Sequence, residues 1–244
     1  MKPPTRFVAE APPDESGLAA VIGADLRHMR AAMRLRPGAR VVLIGGDGTE
    51  FAGELIRYER DRAIVRVGAA RVSSKQPELI LAAAIVKGPR MDLLVEKAAE
   101  LGASELWPVV SARSVARTVG RERIERWRRL AAAAAKQSLA SRPMTVREPM
   151  DFARLIESAP RDRLAVVCTM GAQALGSLIR TRRPRAMLLA CGPEGGFDAD
   201  ELARVTAAGF ATASLGPKRL RSETAALAAL AIAAAALDEL SQGD

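Results

Sequence analysis

Two short apolar runs in the C-terminal part of the chain each end in a glycine-proline loop and then give way to a helical pattern. The first run, AMLLAC at residues 186–191, leads into GPEGG at residues 192–196, and the second, ATASL at residues 211–215, leads into a loop at residues 216–224. Apolar runs of this length are typical of strands buried on both faces of a parallel sheet. The repeated order of strand, loop and helix predicts an α/β fold.

The helices after the two loops carry their own boundary signals. Asp198 stands three residues before Glu201, which is the spacing of a capping box. Leu202 and Val205 form an apolar face, and Gly209 is placed to end the helix. A second helix is predicted after the other loop, because leucines recur on one of its faces at residues 227, 230, 237 and 240.

The two glycine loops are the strongest candidates for a ligand site. In open α/β sheets, ligands bind beyond the carboxyl ends of the strands, where glycines let backbone amides approach closely. The alternative is that the Gly-Pro pairs only mark turns. The sequence contains neither GxxxxGK[ST] nor GxGxxG, so a P-loop or a standard dinucleotide site is disfavoured.

The N-terminal part of the chain follows a different pattern. Tight turns separate short runs that predict an antiparallel meander of three strands, at residues 41–44, 50–57 and 63–67. After the polar segment SSKQP, strand-like runs alternate with helical patterns, at residues 79–86, 105–110, 164–169, 186–191 and 211–215. The sequence therefore predicts a small β-barrel at residues 1–74 and a mainly parallel α/β domain at residues 75–244.

The charge of the chain favours a polyanionic partner. Lys and Arg number 37 against 28 Asp and Glu, which gives a net charge of +9, and most of the cations are Arg. Arg offers a planar fork to phosphate and stacks on bases. A GC-rich genome would also enrich Arg and Ala, so the charge alone leaves both explanations open.

The rare residues exclude several kinds of site. His28 is the only histidine, which rules out a Ser-His-Asp triad and a multi-histidine metal site, and two cysteines do not suffice for a structural zinc site. Cys168 and Cys191 lie in apolar runs and are predicted to be buried thiols in a reduced cytosol. We expect no secretory signal after Met1 and no membrane span in the alanine-rich run at residues 225–237.

An arginine-rich segment, LRHMRAAMRLRPGAR at residues 26–40, contains no acidic residue. Arg27, Arg30 and Arg34 fall at helical spacings that place them on one stripe. Contact with an RNA backbone is the preferred interpretation, and a solvated helix face is the alternative. A second arginine-rich run at residues 121–129 includes two glutamates, so it fits an ion-paired helix surface as well as an RNA contact.

At the two glycine loops the chain resembles a known family. GPEGGF followed by DADEL, and then LGPKRLRSETAALAAL, is similar to the paired C-terminal motifs of the bacterial 16S ribosomal RNA uridine-N3 methyltransferases. Upstream, KGPRMD and EKAAELG are similar to the family's K-G-x-(K/R)-M and K-x-x-E-L-G segment. Arg6-Phe7 and residues 28–34 resemble its opening strand and its first helix, so the resemblance covers nearly the whole chain.

The resemblance implies a fold of the SPOUT class, in which the C-terminal part of a mainly parallel sheet is tied in a trefoil knot behind an N-terminal PUA-like β-barrel. General fold rules alone would not predict a knot. The resemblance also implies S-adenosyl-L-methionine as the cofactor, a homodimer, and 16S ribosomal RNA or the assembled small ribosomal subunit as the substrate in the cytoplasm. Neither a metal nor a membrane is expected to take part.

The resemblance further assigns roles to residues. Backbone groups would bind the cofactor at Gly192, Gly195, Gly196, Leu215, Gly216 and Leu220. Arg221 is the candidate for stabilising the uracil anion, and Glu194 and Glu223 are the carboxylates that accept the proton or organise the loops. Glu223 is equally placed to favour the helix dipole. RNA contacts are expected at Arg6, Arg27, His28, Arg30, Arg34, Lys87, Arg90 and Arg142.

One segment departs from the family pattern. Where the family has E-Q-(S/C)-x-R, this chain has KQSLA, so Lys136 and Ala140 replace the expected Glu and Arg, and Arg142 is the candidate to reach the same space. We expect methylation of uridine N3 in small-subunit ribosomal RNA. Two alternatives remain: an RNA methyltransferase of the same fold that acts on another base or on transfer RNA, and an RNA-binding homologue that has lost turnover.

Overall fold

The computed structural model describes residues 5–45, 49–71, 78–114, 118–138 and 143–242. The chain divides into two compact units, one built from residues before 77 and the other mainly from residues 77–137 and 143–242. The predicted boundary between residues 74 and 75 lies outside the described residues.

The first unit is a five-stranded sheet. Its strands are β1 (Thr5–Val8), β2 (Leu18–Ile22), β3 (Arg40–Ile44), β4 (Glu50–Tyr58) and β5 (Arg62–Arg71). They lie in the order β1-β3-β4-β5-β2, so that β1 and β2 form the edges of the sheet in the described part of the chain. The antiparallel pairing of β3, β4 and β5 confirms the predicted meander, whereas β1 runs parallel to β3.

A short helical segment connects β2 to β3. It begins as an α-helix, α1 (Gly23–Arg27), and continues as a π-helical turn (His28–Ala32). The Asp25 carboxylate accepts a hydrogen bond from the Val8 N–H at 2.7 Å, which fixes α1 to β1. Leu26 and Met29 are buried in the core of the sheet with Phe7.

The second unit is a seven-stranded sheet in which every described pairing is parallel. The strands are β6 (Glu78–Ala84), β7 (Glu105–Val110), β8 (Thr145–Val146), β9 (Met150–Asp151), β10 (Leu164–Cys168), β11 (Ala186–Cys191) and β12 (Ala211–Ala213). Their order is β12-β10-β11-β6-β7-β8, and β9 also pairs with β7. All five predicted runs are strands, which confirms the mainly parallel α/β sheet.

Helices cover both faces of this sheet. They are α2 (Pro89–Glu100), α3 (Arg121–Ser138), α4 (Phe152–Ser158), α5 (Leu175–Arg182), α6 (Ala199–Ala207) and α7 (Ser222–Gln242). Successive strand residues point to opposite faces: Leu189 of β11 belongs to the core layer of α2, α3, α5 and α7, and Leu188 to that of α4 and α6. Both are fully buried, and such burial contributes about 1.5–3 kcal/mol per side chain.

The C-terminal helix α7 is long and apolar enough to cross a membrane by length and composition alone. One of its faces is buried against the sheet, through Ala226, Ala229, Leu230, Ala233 and Leu237. Most of the rest of the helix is half-buried or exposed, so that 28% of its apolar stretch is buried.

The two cysteines lie opposite each other in register at the ends of β10 and β11. Both thiols are free; Cys191 is buried, as predicted, whereas Cys168 is only half-buried. A hydrogen bond with Cys168, together with burial, raises the pKa of Cys191 well above its usual value. The Cys191 thiol therefore stays protonated at neutral pH.

Candidate active site

Four loops meet at the carboxyl edge of the parallel sheet. Following the order of the strands, they are the loops after β12 (residues 214–221), β10 (169–174), β11 (192–198) and β6 (85–88). Parallel strands end at the same edge, so the two glycine loops come to lie on either side of the β10 loop. The β10 loop was not predicted from the sequence, where its only signal is Gly171 shortly after a strand-like run.

The first glycine loop is a tight turn. The Gly196 N–H donates to the carbonyl oxygen of Pro193 at 2.8 Å. Gly196 has a φ of +69°, in the left-handed region that favours glycine. A Cβ on Gly192 would lie 3.2 Å from both the ring and the backbone nitrogen of Phe197. The loop therefore folds closely over Phe197, and a side chain at residue 192 would displace it.

Glu201 joins the start of α6 to a further loop. Its Oε2 accepts from the Asp198 N–H at 3.0 Å, and its own N–H donates to Asp198 Oδ1 at 2.7 Å, which confirms the predicted capping box. Its Oε1 accepts from the N–H of Ala112, in the loop after β7, at 2.8 Å. Glu201 is only 5% exposed. Both oxygens of this buried carboxylate therefore hold backbone groups.

Arg113, next to Ala112, reaches the first glycine loop. Its Nη1 donates to the carbonyl oxygen of Gly195 at 2.7 Å, and its Cδ lies 3.3 Å from the position of a Cβ on Gly195. The loop after β7 thereby supports the glycine loop. Arg113 was not predicted as a site residue; its only signal in the sequence is its place after a strand-like run that ends at the same edge of the sheet.

The second glycine loop is bonded to the loop after β10. The Ser214 N–H donates to the carbonyl oxygen of Gln173 at 2.7 Å, and the Ser214 carbonyl oxygen accepts from the Leu175 N–H at 2.9 Å. The Ser214 hydroxyl bonds both the N–H and the carbonyl oxygen of Gly216, at 3.1 and 3.3 Å. The two backbone bonds join the loops, and the two hydroxyl bonds tighten the turn within the second glycine loop.

An open cavity of about 340 Å³ lies at these two loops, lined by Met170, Gly171, Ala172, Ala174, Ser214, Gly216 and Pro217. Its volume falls within the range of about 300–1,000 Å³ that is usual for small-molecule sites. Met170 is 58% exposed, which is unusual for a large apolar side chain. A ligand in the cavity would cover it.

Among the residues predicted to bind a cofactor, Gly216 lines this cavity. Leu215 and Leu220 belong to the same loop, and Gly192, Gly195 and Gly196 belong to the loop after β11. At Gly196 and Gly216, no atom lies within 4 Å of the position of an added Cβ. The backbone at both glycines therefore faces open space.

The two predicted carboxylates share one arginine. Arg90 Nη1 lies 2.9 Å from Glu194 Oε1, and Arg90 Nε lies 3.8 Å from Glu223 Oε1. Glu223 is buried, and its Oε2 has no hydrogen-bond partner among the described residues. Arg221 is exposed, and among the residues that the structure describes it forms an ion pair with neither carboxylate. Arg90, a predicted RNA contact, is thus engaged within the second unit.

The prediction that Arg27, Arg30 and Arg34 lie on one stripe of a helix is wrong for Arg34. Arg27 ends α1 and Arg30 lies in the π-helical turn, but that turn ends at Ala32 and Arg34 has a φ of +49°. Within the turn, the Met33 N–H donates to the His28 carbonyl oxygen at 3.0 Å. This wider winding shifts the following residues away from the 3.6-residue spacing of an α-helix, and Arg34 leaves the helix altogether.

The predicted RNA contacts of the first unit differ in whether their side chains already contact other groups of the protein. The Arg30 guanidinium donates to the carbonyl oxygens of Glu59 and Arg60 and lies 4.8 Å from the centre of the Tyr58 ring. Arg6 pairs with Glu50 at 3.4 Å, and the exposed His28 lies near the Phe7 ring. Across the described segments, neither Arg27 nor Arg34 forms an ion pair, and both are exposed.

The remaining predicted residues lie in the second unit or outside the described residues. Lys87 is exposed in the loop after β6, whereas Ala140 and Arg142 fall outside the described residues, as does the side chain of Lys136. In α3, Arg126 pairs with Asp92, and Arg128 pairs with two glutamates, as in an ion-paired surface. Within the described ranges, no group of three His, Cys, Asp or Glu is placed to hold a metal.

Comparison with known proteins adds independent findings. Residues 73–234 match the RNA methyltransferase domain family, and residues 21–68 match the RNA methyltransferase PUA domain family. The ribosomal RNA small subunit methyltransferase E of Mycobacterium bovis is 31% identical, over 92% of this chain and 88% of the relative. The protein of the same name from Bacillus subtilis is 28% identical, over 95% and 94%.

A solved structure shows the same fold. The ribosomal RNA small subunit methyltransferase E of Neisseria gonorrhoeae, bound to S-adenosyl methionine, matches with a TM-score of 0.67 and 28% identity. The match covers 94% of this chain and 96% of that chain.

Proposed function

The chain belongs to the RNA methyltransferase family, and we propose that it uses S-adenosylmethionine to methylate N3 of a uridine in the 16S ribosomal RNA of the small subunit. The family is matched over most of the second unit, and relatives named ribosomal RNA small subunit methyltransferase E align over nearly the whole chain. A structural neighbour holds S-adenosyl methionine. The family resemblance noted in the sequence is thereby confirmed.

The observation that carries the proposal is the placement of two glycine loops at one edge of a parallel sheet, with a cavity beside the second. Gly196 and Gly216 have φ values of +69° and +116° and open space at the Cβ position. Glycines with exposed backbone and apolar neighbours such as Met170 suit an adenosine group, which needs few polar side chains. These loops therefore fit S-adenosylmethionine, with Met170 and Gly171 as additions to the residues predicted from the sequence.

The reaction requires that a uracil N3–H lose its proton. S-adenosylmethionine supplies an electrophilic methyl group on its sulfonium sulfur, so that the N3 electron pair forms the new C–N bond as the C–S bond breaks. We assign to Arg221 the stabilisation of the negative charge on the uracil, because it is exposed in the second glycine loop and forms no ion pair with the residues that the structure describes. Glu194 and Glu223 are the candidates for accepting the proton or organising the loops.

RNA binding is assigned mainly to the first unit. This unit contains the PUA-domain match and the candidate contacts Arg6, Arg27, His28, Arg30 and Arg34. Arg27 and Arg34 are the strongest of these candidates. Both side chains are exposed, and neither forms an ion pair with a carboxylate among the residues that the structure describes. Lys87 and Arg142 are the other candidates.

Several finer properties complete the proposal. We propose that the chain acts in the cytoplasm as a homodimer, that the domains divide between residues 74 and 75, and that the C-terminal part of the sheet forms the trefoil knot of the SPOUT class. No metal takes part in the proposed chemistry. Analytical ultracentrifugation tests the dimer directly.

Transfer of tritiated methyl groups from labelled S-adenosylmethionine tests the proposal. Small-subunit RNA and assembled small subunits are compared as acceptors, with transfer RNA as the competing substrate, and mass spectrometry identifies the methylated nucleoside. We expect 3-methyluridine in the small-subunit RNA. Label in transfer RNA or on another base would favour a different target. Cofactor binding without transfer to any acceptor would favour an RNA-binding homologue that lacks turnover.

A further inference from the structure

We propose that Arg90 is a positioning residue of the methyl-transfer site, which sets the separation of the two glycine loops through two carboxylates. Its Nη1 contacts Glu194 in the first glycine loop at 2.9 Å, and its Nε lies 3.8 Å from Glu223, directly after the second loop. The inference rests on the proposed function, because it concerns the same site. It replaces the RNA contact that the sequence suggested for Arg90.

Glu223 is the partner for which this arginine matters most. The residue is 6% exposed, and its Oε2 is buried without a partner in the described part of the chain. A buried carboxylate that loses its cation is left uncompensated, whereas the Glu194 side chain is 63% exposed and remains solvated. Loss of the Arg90 guanidinium therefore acts mainly through Glu223.

Rigid elements place Arg90. It is the second residue of α2, whose Met91, Leu94 and Val95 are at most 1% exposed. The strand before it, β6, lies beside β11, which leads into the first glycine loop. Helix α2 also packs against α7, which carries Glu223 in its first turn. Arg90 and Glu223 therefore lie in helices that the core holds in place, and Glu194 lies in the loop three residues after the end of β11.

This arrangement gives the two arginines different tasks. Arg90 offsets the charge of Glu194 and Glu223, and Arg221 is left without an ion pair among the described residues. Arg221 is two residues from Glu223 in sequence. Without Arg90, the unneutralised Glu223 would attract Arg221 and draw it away from the substrate, so removal of Arg90 should lower the rate of the chemical step.

The test compares Arg90→Gln, Arg90→Lys and a matched control, Lys97→Gln. Lys97 lies on the same helix and also bonds two carboxylates at 2.8 Å, but it is outside the site. Three quantities are measured: the single-turnover rate at saturating RNA and cofactor, the affinity for S-adenosylhomocysteine by calorimetry, and the salt dependence of RNA binding. Thermal melting monitors folding.

For Arg90→Gln we expect the single-turnover rate to fall by about ten-fold or more, S-adenosylhomocysteine to bind more weakly, and the salt dependence of RNA binding to stay unchanged. Arg90→Lys should retain part of the rate. In a Glu223→Gln background, Arg90→Gln should cost less than in the wild type, because the two residues act as a pair. The Lys97→Gln control should match the wild type in all three measurements.

A salt slope reduced by about one unit, with an unchanged saturated rate, would overturn the proposal and return Arg90 to the RNA surface. Equal losses in the wild-type and Glu223→Gln backgrounds would also contradict it. If Arg90→Gln does not fold, Arg90→Lys decides, and a wild-type rate in that variant refutes the positioning role. If the wild-type protein itself transfers no methyl group, the proposed function is refuted instead. The affinity for S-adenosylhomocysteine and the salt dependence of RNA binding would still decide the role of Arg90.

Discussion

The buried carboxylate of Glu201 offers a sharp test of how the site is held together. In Glu201→Gln one oxygen becomes an NH₂ group, and in either orientation that group faces a backbone N–H, at Ala112 or at Asp198. One hydrogen bond is lost and its donor is left without that acceptor. A bond to a charged acceptor is worth about 1.5–3 kcal/mol, and the surviving bond weakens by roughly 0.5–1 kcal/mol, so we expect a loss of about 2–4 kcal/mol.

Tryptophan fluorescence measures this loss in the relevant unit. The chain has two tryptophans, Trp107 on β7 and Trp127 on α3, and both lie in the second unit. Urea unfolding followed by fluorescence therefore reports on that unit alone. The matched control is Asp200→Asn, an exposed acid in the first turn of the same helix, which should cost only about 0.3–1 kcal/mol through the helix dipole.

The same substitution should weaken the binding of S-adenosylhomocysteine, because the loop of Ala112 also carries Arg113, which holds Gly195. A stability loss below about 0.5 kcal/mol, the size of an ordinary surface substitution, would refute the bridging role of Glu201. A large stability loss with unchanged ligand affinity would show that the loop after β7 does not support the glycine loop.

The glycine loops, the unpaired arginines of the first unit and Arg221 can each be tested separately. Gly195→Val with Gly216→Val should abolish S-adenosylhomocysteine binding in calorimetry, because a side chain at residue 216 would enter the open space at the second loop and one at residue 195 would press on Arg113, which holds the first loop; unchanged affinity in a folded double variant would remove these loops from the cofactor site. Arg27→Gln with Arg34→Gln should flatten the salt dependence of RNA binding by about 1.4–1.8 units of slope, and an unaltered slope would make both residues solvated surface. Arg221→Lys should lower the single-turnover rate more than cofactor affinity, with partial recovery at higher pH as more uridine ionises; a pH-independent loss would make Arg221 a positioning residue.

Strands and helix boundaries were predictable because their signals are local. A strand buried on both faces leaves a continuous apolar run, and β7 and β11 have the predicted bounds of 105–110 and 186–191. The capping box fixed the start of α6 at Asp198, and Gly209, with a φ of +85°, follows its end. The two-residue strands β8 and β9 are too short to leave such a pattern.

The contacts that shape the site were not predictable, because they join residues far apart in the chain. Arg113 and Gly195 are 82 residues apart, and Arg90 and Glu194 are 104 apart. No periodic pattern records that the β10 loop lies between the two glycine loops, since this depends on the order of the strands. The π-helical turn at His28 was also hidden, because its sequence has the composition of an α-helix.

The long separation between Arg90 and Glu223 has a consequence for the order of folding. Arg90 begins α2, and Glu223 lies in the first turn of α7, after the last described strand. Non-local parallel pairings form slowly, because the entropy of closing long loops opposes them until the contacts are made. With the proposed cofactor site at the two glycine loops, the chain should acquire ligand affinity only after α7 has emerged during synthesis, and a ligand that binds the native state alone would then stabilise the finished sheet by mass action.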